Sequence, residues 1–144
     1  MSYLEVLSEQ HRACDQLFAG IEQHAYKGDW TAAASAAQAF VNDTEVHFAY
    51  EEGVLFPALE AASPNATGPT SVMRSEHAQM RELFAALLAA TAEHDTEALA
   101  DAVETLLFVM QQHNAKEENV LYPIADRLLP ADGAKELDST RKVG

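Results

Sequence analysis

The sequence predicts an all-α fold, an up-down-up-down antiparallel four-helix bundle, on three observations. Alanine, leucine, glutamate and glutamine dominate, while glycine and proline gather in a few places, a balance that favours helix over sheet. Four helical stretches can be drawn, over about 2–26, 30–60, 71–93 and 96–128. The first and second stretches, and the third and fourth, are joined by very short connections, which force antiparallel neighbours.

Each stretch carries its own punctuation. Ser2 with Glu5 fits a capping box at the start of the first helix, and Gly28-Asp29 reads as a stop followed by a new N-cap. The run Ser63-Pro64-Asn65-Ala66-Thr67-Gly68-Pro69 reads as a plain loop, and Asp95 is placed to cap the last helix. Residues 1–130 then make one domain, with residues 131–144 a polar C-terminal tail, either frayed or docked as a short helix.

Composition narrows the function classes. With 144 residues, 48% of them apolar, the chain buries a core without disulfides. The 23 acidic residues outnumber 9 basic ones for a net charge of -14, and no Lys/Arg cluster stands out to track phosphates, so nucleic acid and anionic membranes are excluded as partners. No apolar run approaches the roughly 20 residues that span a bilayer, and the opening MSYLEVLSEQ is acidic where a signal peptide is basic, so a cytoplasmic location is expected. Cys14 is alone, which leaves nitrogen and oxygen donors to carry any metal chemistry.

An internal repeat organises those donors. His47 follows His11 by 36 residues, His113 follows His77 by the same interval, and the two hairpins are offset by 66 residues. Aligning the run from His47 to Pro57 on the run from His113 to Pro123 matches His, Ala, both Glu, Val, Leu and Pro, with an aromatic before each proline.

Helix geometry turns this pattern into a site. At about 100° per residue, positions i and i+4 lie within roughly 40° of each other, so His47 points with Glu51, and His113 with Glu117. The residues one heptad away are Leu4 and Phe18 around His11, Phe40 and Val54 around His47, and Leu106 and Val120 around His113. Phe84 flanks His77 on one side, with Thr70 lying before the helix begins. All four histidines therefore fall on the buried stripe. A single core histidine is ordinarily satisfied by a hydrogen bond. Four imidazoles with two carboxylates and no cationic partner are not, and two metal ions remove the cost of burying those charges.

Other polar residues serve as controls. His24 is turned roughly 140° from His11, and His94 stands at a helix end, so both are expected to face solvent. Asp15, at i+4 from His11, has Arg81 as its counterpart in the repeat and reads as a hydrogen-bond acceptor or arginine partner. Glu52 and Glu118, at i+5, read as solvated or helix-flank carboxylates.

The pattern His11, His47-x-x-x-Glu51, His77, His113-x-x-x-Glu117 resembles the hemerythrin-like family, the HHE cation-binding domain, over residues 4–128. The resemblance implies a non-haem di-iron centre bridged by Glu51, Glu117 and an oxo or hydroxo group, each iron also taking two histidines. Oxygen-carrying hemerythrins use a fifth histidine, which here would be Met73 or Arg81, and place the last carboxylate at i+5, which makes Glu118 an alternative to Glu117.

A four-His, two-Glu set leaves an exchangeable position on each metal. The first expectation is therefore a protein that binds or senses dioxygen or nitric oxide, or handles iron under stress. A di-iron oxidase or a peroxide- or nitric-oxide-consuming enzyme is the alternative, with Tyr50 and Tyr122 as candidate redox partners. A structural zinc or mixed-metal bundle is the third reading. Whether the bundle pairs into a homodimer is left open.

Overall fold

The computed structural model describes the backbone of residues 1–143 and the side chains of residues 1–139. Its helices are α1 (Tyr3–Tyr26), α2 (Trp30–Tyr50), α3 (Phe56–Ala62), α4 (Thr67–Ala92), α5 (Thr96–Lys116), α6 (Tyr122–Leu128) and α7 (Ala131–Val143). Helix α2 runs into α3 through a π-turn, Glu51–Leu55, and α5 runs into α6 through another, Glu117–Leu121. The bundle therefore has four long members, α1, α2–α3, α4 and α5–α6, with α1 packed on α2 and α4 on α5.

Local chemistry sets the helix starts. The capping box forms, with Glu5 N–H donating to Ser2 Oγ at 3.0 Å and Ser2 N–H to Glu5 Oε1 at 3.3 Å. Asp29 and Asp95 cap α2 and α5 by accepting from Ala32 N–H and Ala98 N–H, each at 3.0 Å. Just before these caps the chain turns through positive φ at Gly28 and at its repeat counterpart His94. Across the bundle, Asp126 of α6 accepts from the free N–H groups of Tyr3 and Leu4 at 2.7 and 3.3 Å.

Two expectations change. Helix α4 begins at Thr67 rather than 71, after a 3₁₀ turn over Pro64–Ala66, so the expected loop is mostly helical. Pro69 sits in the first turn, where a backbone N–H has no partner to lose, and Thr70 is buried inside the helix instead of preceding it. Second, Val54 and Val120 are 55% and 48% exposed, while Leu55 and Leu121 are each 1% exposed. The π-turns insert one residue and move the inward register along by one. Of the two forms left open for the C-terminal tail, residues 131–143 take the docked helix, α7, whose Ala134 is buried and which packs on α1.

The π-turns have a local cause. Pro57 and Pro123 follow them, and each lacks the N–H that would bond back while its ring crowds the carbonyl four residues earlier, at Gly53 or Asn119. The backbone widens instead. Phe56 N–H then reaches Glu51 O and Tyr122 N–H reaches Glu117 O.

Two apolar clusters fill the bundle. One contains Phe18, Ile21, Phe40, Phe84, Leu87 and Leu106; the other contains Leu7, Leu55, Phe56, Leu59, Leu121 and Tyr122. His11, His47, His77, His113, Glu51 and Glu117 are buried without belonging to either cluster. Among the described residues no helix is long and apolar enough to cross a membrane.

Candidate metal centre

One histidine comes from each long member: His11 from α1, His47 from α2, His77 from α4 and His113 from α5. Glu51 and Glu117 open the two π-turns and are fully buried. Their donor atoms assemble into two groups, His11–His47–Glu51–Glu117 and Glu51–His77–His113–Glu117, with the atoms of each group within 4.8 Å of one another. The carboxylates belong to both groups. His11 Nε2 lies 3.1 Å from His47 Nε2 and 3.1 Å from Glu117 Oε1, and His47 Nε2 lies 3.4 Å from Glu51 Oε2. In the second group His77 Nε2 lies 3.1 Å from Glu51 Oε1, and His113 Nε2 lies 3.2 Å from Glu117 Oε1.

Every imidazole is held by its outer nitrogen. His11 Nδ1–H donates to Glu118 Oε2 and His77 Nδ1–H to Glu52 Oε2, both at 2.7 Å. His47 Nδ1–H donates to Gln10 Oε1 at 2.7 Å and His113 Nδ1–H to Glu76 Oε1 at 2.9 Å. With Nδ1 committed to an oxygen acceptor, the neutral ring presents its Nε2 lone pair inward, the arrangement that orients histidine for a metal.

Glu52 and Glu118 are therefore helix-flank rather than solvated carboxylates, and they hold histidines of other helices. A position turned 140° from its own histidine flanks the buried stripe and faces the neighbouring helix, where another histidine waits. Glu118 is accordingly outside the central cluster and Glu117 inside it. Asp15 is exposed and the His11 proton goes to Glu118 instead, so Asp15 does not take the acceptor position.

Cations sit on two of the three outer carboxylates. Arg81 grips Glu52 with two 3.0 Å contacts, Lys116 Nζ meets Glu76 Oε2 at 2.5 Å, and each carboxyl is held below its ordinary range by the cation and histidine beside it, against the opposing effect of burial. No lysine or arginine reaches Glu51 or Glu117 among the described contacts.

The inner layer is electrostatically tense. Burial pushes the Glu117 carboxyl up, but hydrogen bonding with Glu51, His11 and His113 outweighs it and holds Glu117 well below the usual range. Burial likewise lowers His113, and the Glu117, Glu51 and Glu76 carboxylates override it and raise the imidazole to about 9. His11 is raised for the same reason, by Glu117 and Glu118. Glu51 Oε1, Glu117 Oε2, His77 Nε2 and His113 Nε2 are all buried without a well-aligned hydrogen bond, the two nitrogens meeting carboxylate oxygens only as ion-pair contacts at 3.1 and 3.2 Å. Each such atom costs about 1–3 kcal/mol unless something binds it, and two imidazole nitrogens with one oxygen from each carboxylate suit a first-row transition metal.

A profile of the hemerythrin HHE cation-binding domain matches residues 2–125. The chain belongs to that family. Neither curated proteins nor solved structures gave a match. The hemerythrin domain is a cation-binding one, and the buried histidine and glutamate groups of this hemerythrin chain fit a metal site.

His24 and His94 belong to neither cluster; His94 is exposed and stacks on Trp30 at 5.2 Å. Sequence reasoning missed Gln10 and Glu76, though the repeat held the signal, since each immediately precedes a histidine in its hairpin. It named Tyr122 only as a candidate redox partner and did not place its hydroxyl among the donor atoms. The hydroxyl is fully buried among the donor atoms, carried inward by the π-turn, and burial with the Glu51 and Glu117 carboxylates pushes the phenol well above its ordinary range.

Proposed function

We propose that this hemerythrin-family protein holds two iron ions, one in each donor group, with Glu51 and Glu117 shared between them, and uses the pair to bind or sense dioxygen or nitric oxide. The observation that carries the reading is the sharing itself. A carboxylate has two oxygens and spans the roughly 3.5–4 Å between the ions of a dinuclear site, while each imidazole serves one ion. Bound iron would supply reversible electron transfer and an exchangeable coordination position for a small ligand.

The chain's own residues do the rest. Glu118, Gln10, Glu52 and Glu76 hold the four rings by Nδ1, and the two apolar clusters keep bulk water away from the polar layer. A void of about 20 Å³ beside His11 and His47, lined also by Cys14, Phe48, Met80 and Met110, has room for one water-sized molecule. A void of that size is too small for an organic substrate. Iron handling under stress uses the same centre. The test is metal content of protein reconstituted with ferrous iron, together with its absorption spectrum before and after reduction and exposure to oxygen or nitric oxide. Two irons per chain with ligand-dependent spectra support the reading; zinc in preference to iron, with a silent spectrum, would favour a structural bundle.

A further inference from the structure

The repeat that makes the two donor groups equivalent breaks at one position inside the centre. Aligned through the 66-residue offset, Phe56 of the first hairpin corresponds to Tyr122 of the second. Both rings are fully buried, both follow a π-turn glutamate by five residues, and only one carries an oxygen. The Tyr122 hydroxyl lies 2.6 Å from Glu51 Oε2, 2.9 Å from Glu117 Oε1, 3.0 Å from His11 Nε2 and 3.3 Å from His47 Nε2. These four atoms form the first donor group.

Two nitrogen or oxygen atoms bound to one ion at about 2.0–2.2 Å and at right angles stand about 3 Å apart. Three contacts within the first group measure 3.1, 3.1 and 3.4 Å, all four of its atoms lie within 4.8 Å of one another, and the contacts from Tyr122 to it run from 2.6 to 3.3 Å. The phenol oxygen is thus placed as one more vertex of the same coordination shell. Hydrogen bonding alone accounts for it poorly, because a phenol has one proton and two lone pairs, and four polar atoms crowd it. The second group has no such neighbour; its His77 faces the Phe56 ring at 5.8 Å between centroids, and its donor atoms lack a well-aligned hydrogen bond.

We propose that Tyr122 supplies a fifth protein donor to the ion held by His11 and His47, so that the two ions are chemically unequal. The proposal rests on the two-ion reading. On loading, the phenol O–H bond breaks, an oxygen–metal bond forms, the proton leaves to solvent and no electrons change hands. The His77–His113 ion lacks the phenolate and keeps one more position for an incoming ligand.

A phenolate bound to ferric iron has a charge-transfer band in the visible that histidine and carboxylate ligands do not give. Ferric-loaded wild-type protein is expected to show it, with two irons per chain. Tyr122→Phe is expected to lose the band entirely while keeping both irons and its thermal transition, since Phe56 shows that a phenylalanine packs at this position. Tyr50→Phe, at a partly buried ring outside the centre, is expected to keep the band. Two irons per chain with no phenolate band in the wild type would overturn the proposal alone, as would persistence of the band in Tyr122→Phe or its loss in Tyr50→Phe. A chain that takes up no iron would overturn the proposal together with the reading beneath it.

Discussion

At the scale of single residues, the inner carboxylates and the outer hydrogen-bond acceptors do separable work. Glu51 and Glu117 face both donor groups, so Glu51→Ala or Glu117→Ala is expected to empty both metal positions, whereas His→Ala at one of the four rings should chiefly weaken the nearer ion. Glu52 acts on His77 through Nδ1 and is itself gripped by Arg81. Its replacement by alanine should lower metal affinity by about 10–100-fold without removing a donor atom. Titration with ferrous iron measures both effects, and an unchanged affinity in the Glu52 variant would refute the orienting role.

The raised imidazole of His113 gives a pH signature to the metal-free protein. A group whose folded pKa lies above its unfolded value stabilises fully below the unfolded value, here 6.5, and loses that contribution as pH rises through about 9. The full contribution is about 3 kcal/mol. Glu117, depressed on folding, contributes above its ordinary value of 4.5 and loses that as pH falls. Denaturant melts of chelator-stripped protein should therefore show stability declining on both the acid and alkaline sides. A profile flat between about pH 6 and pH 10 would contradict the His113 assignment.

At the scale of elements, the π-turns decide which residues face inward. Leu55→Ala and Leu121→Ala should each cost about 2–5 kcal/mol, and Val54→Ala and Val120→Ala less than about 1 kcal/mol. Equal costs within either pair would mean that the helices keep ordinary register. This is also where the sequence was least legible. His47 with Glu51, and His113 with Glu117, could be read from simple helical spacing because they lie before the turns. Beyond them the heptad picks Val54 and Val120, and nothing in a periodic pattern says that Pro57 and Pro123 will be relieved by widening rather than by a kink. The partners of Glu52, Glu118 and Tyr122 were not legible for related reasons, since a single-helix projection shows which way a side chain leaves its own axis but not what the next helix presents there. Thr67–Pro69 looked like loop because proline and glycine mark loops more often than first turns.

At the scale of the whole molecule, the duplicated hairpin was the most legible feature, and it carried most of the site. Each hairpin supplies two histidines, one inner glutamate and the acceptors that hold the rings, so neither completes a donor group without the other: His11 and His47 need Glu117, as His77 and His113 need Glu51. Metal binding should accordingly tie the bundle together. An excess of free metal a thousandfold above Kd adds about 4 kcal/mol to stability, or roughly 10 °C in the melting temperature of a chain this long. His24→Ala and His94→Ala, both outside the donor groups, should leave metal content and that increment unchanged; a loss of metal in either would show that a helix face is misplaced.

The central claim is that Glu51 and Glu117 join two ions into one centre, and metal content per chain tests it most directly. After reconstitution with ferrous iron and removal of excess, the wild-type chain should hold two ions and Glu117→Ala fewer than one. One ion or none in the wild type, or two ions retained in Glu117→Ala, would contradict it.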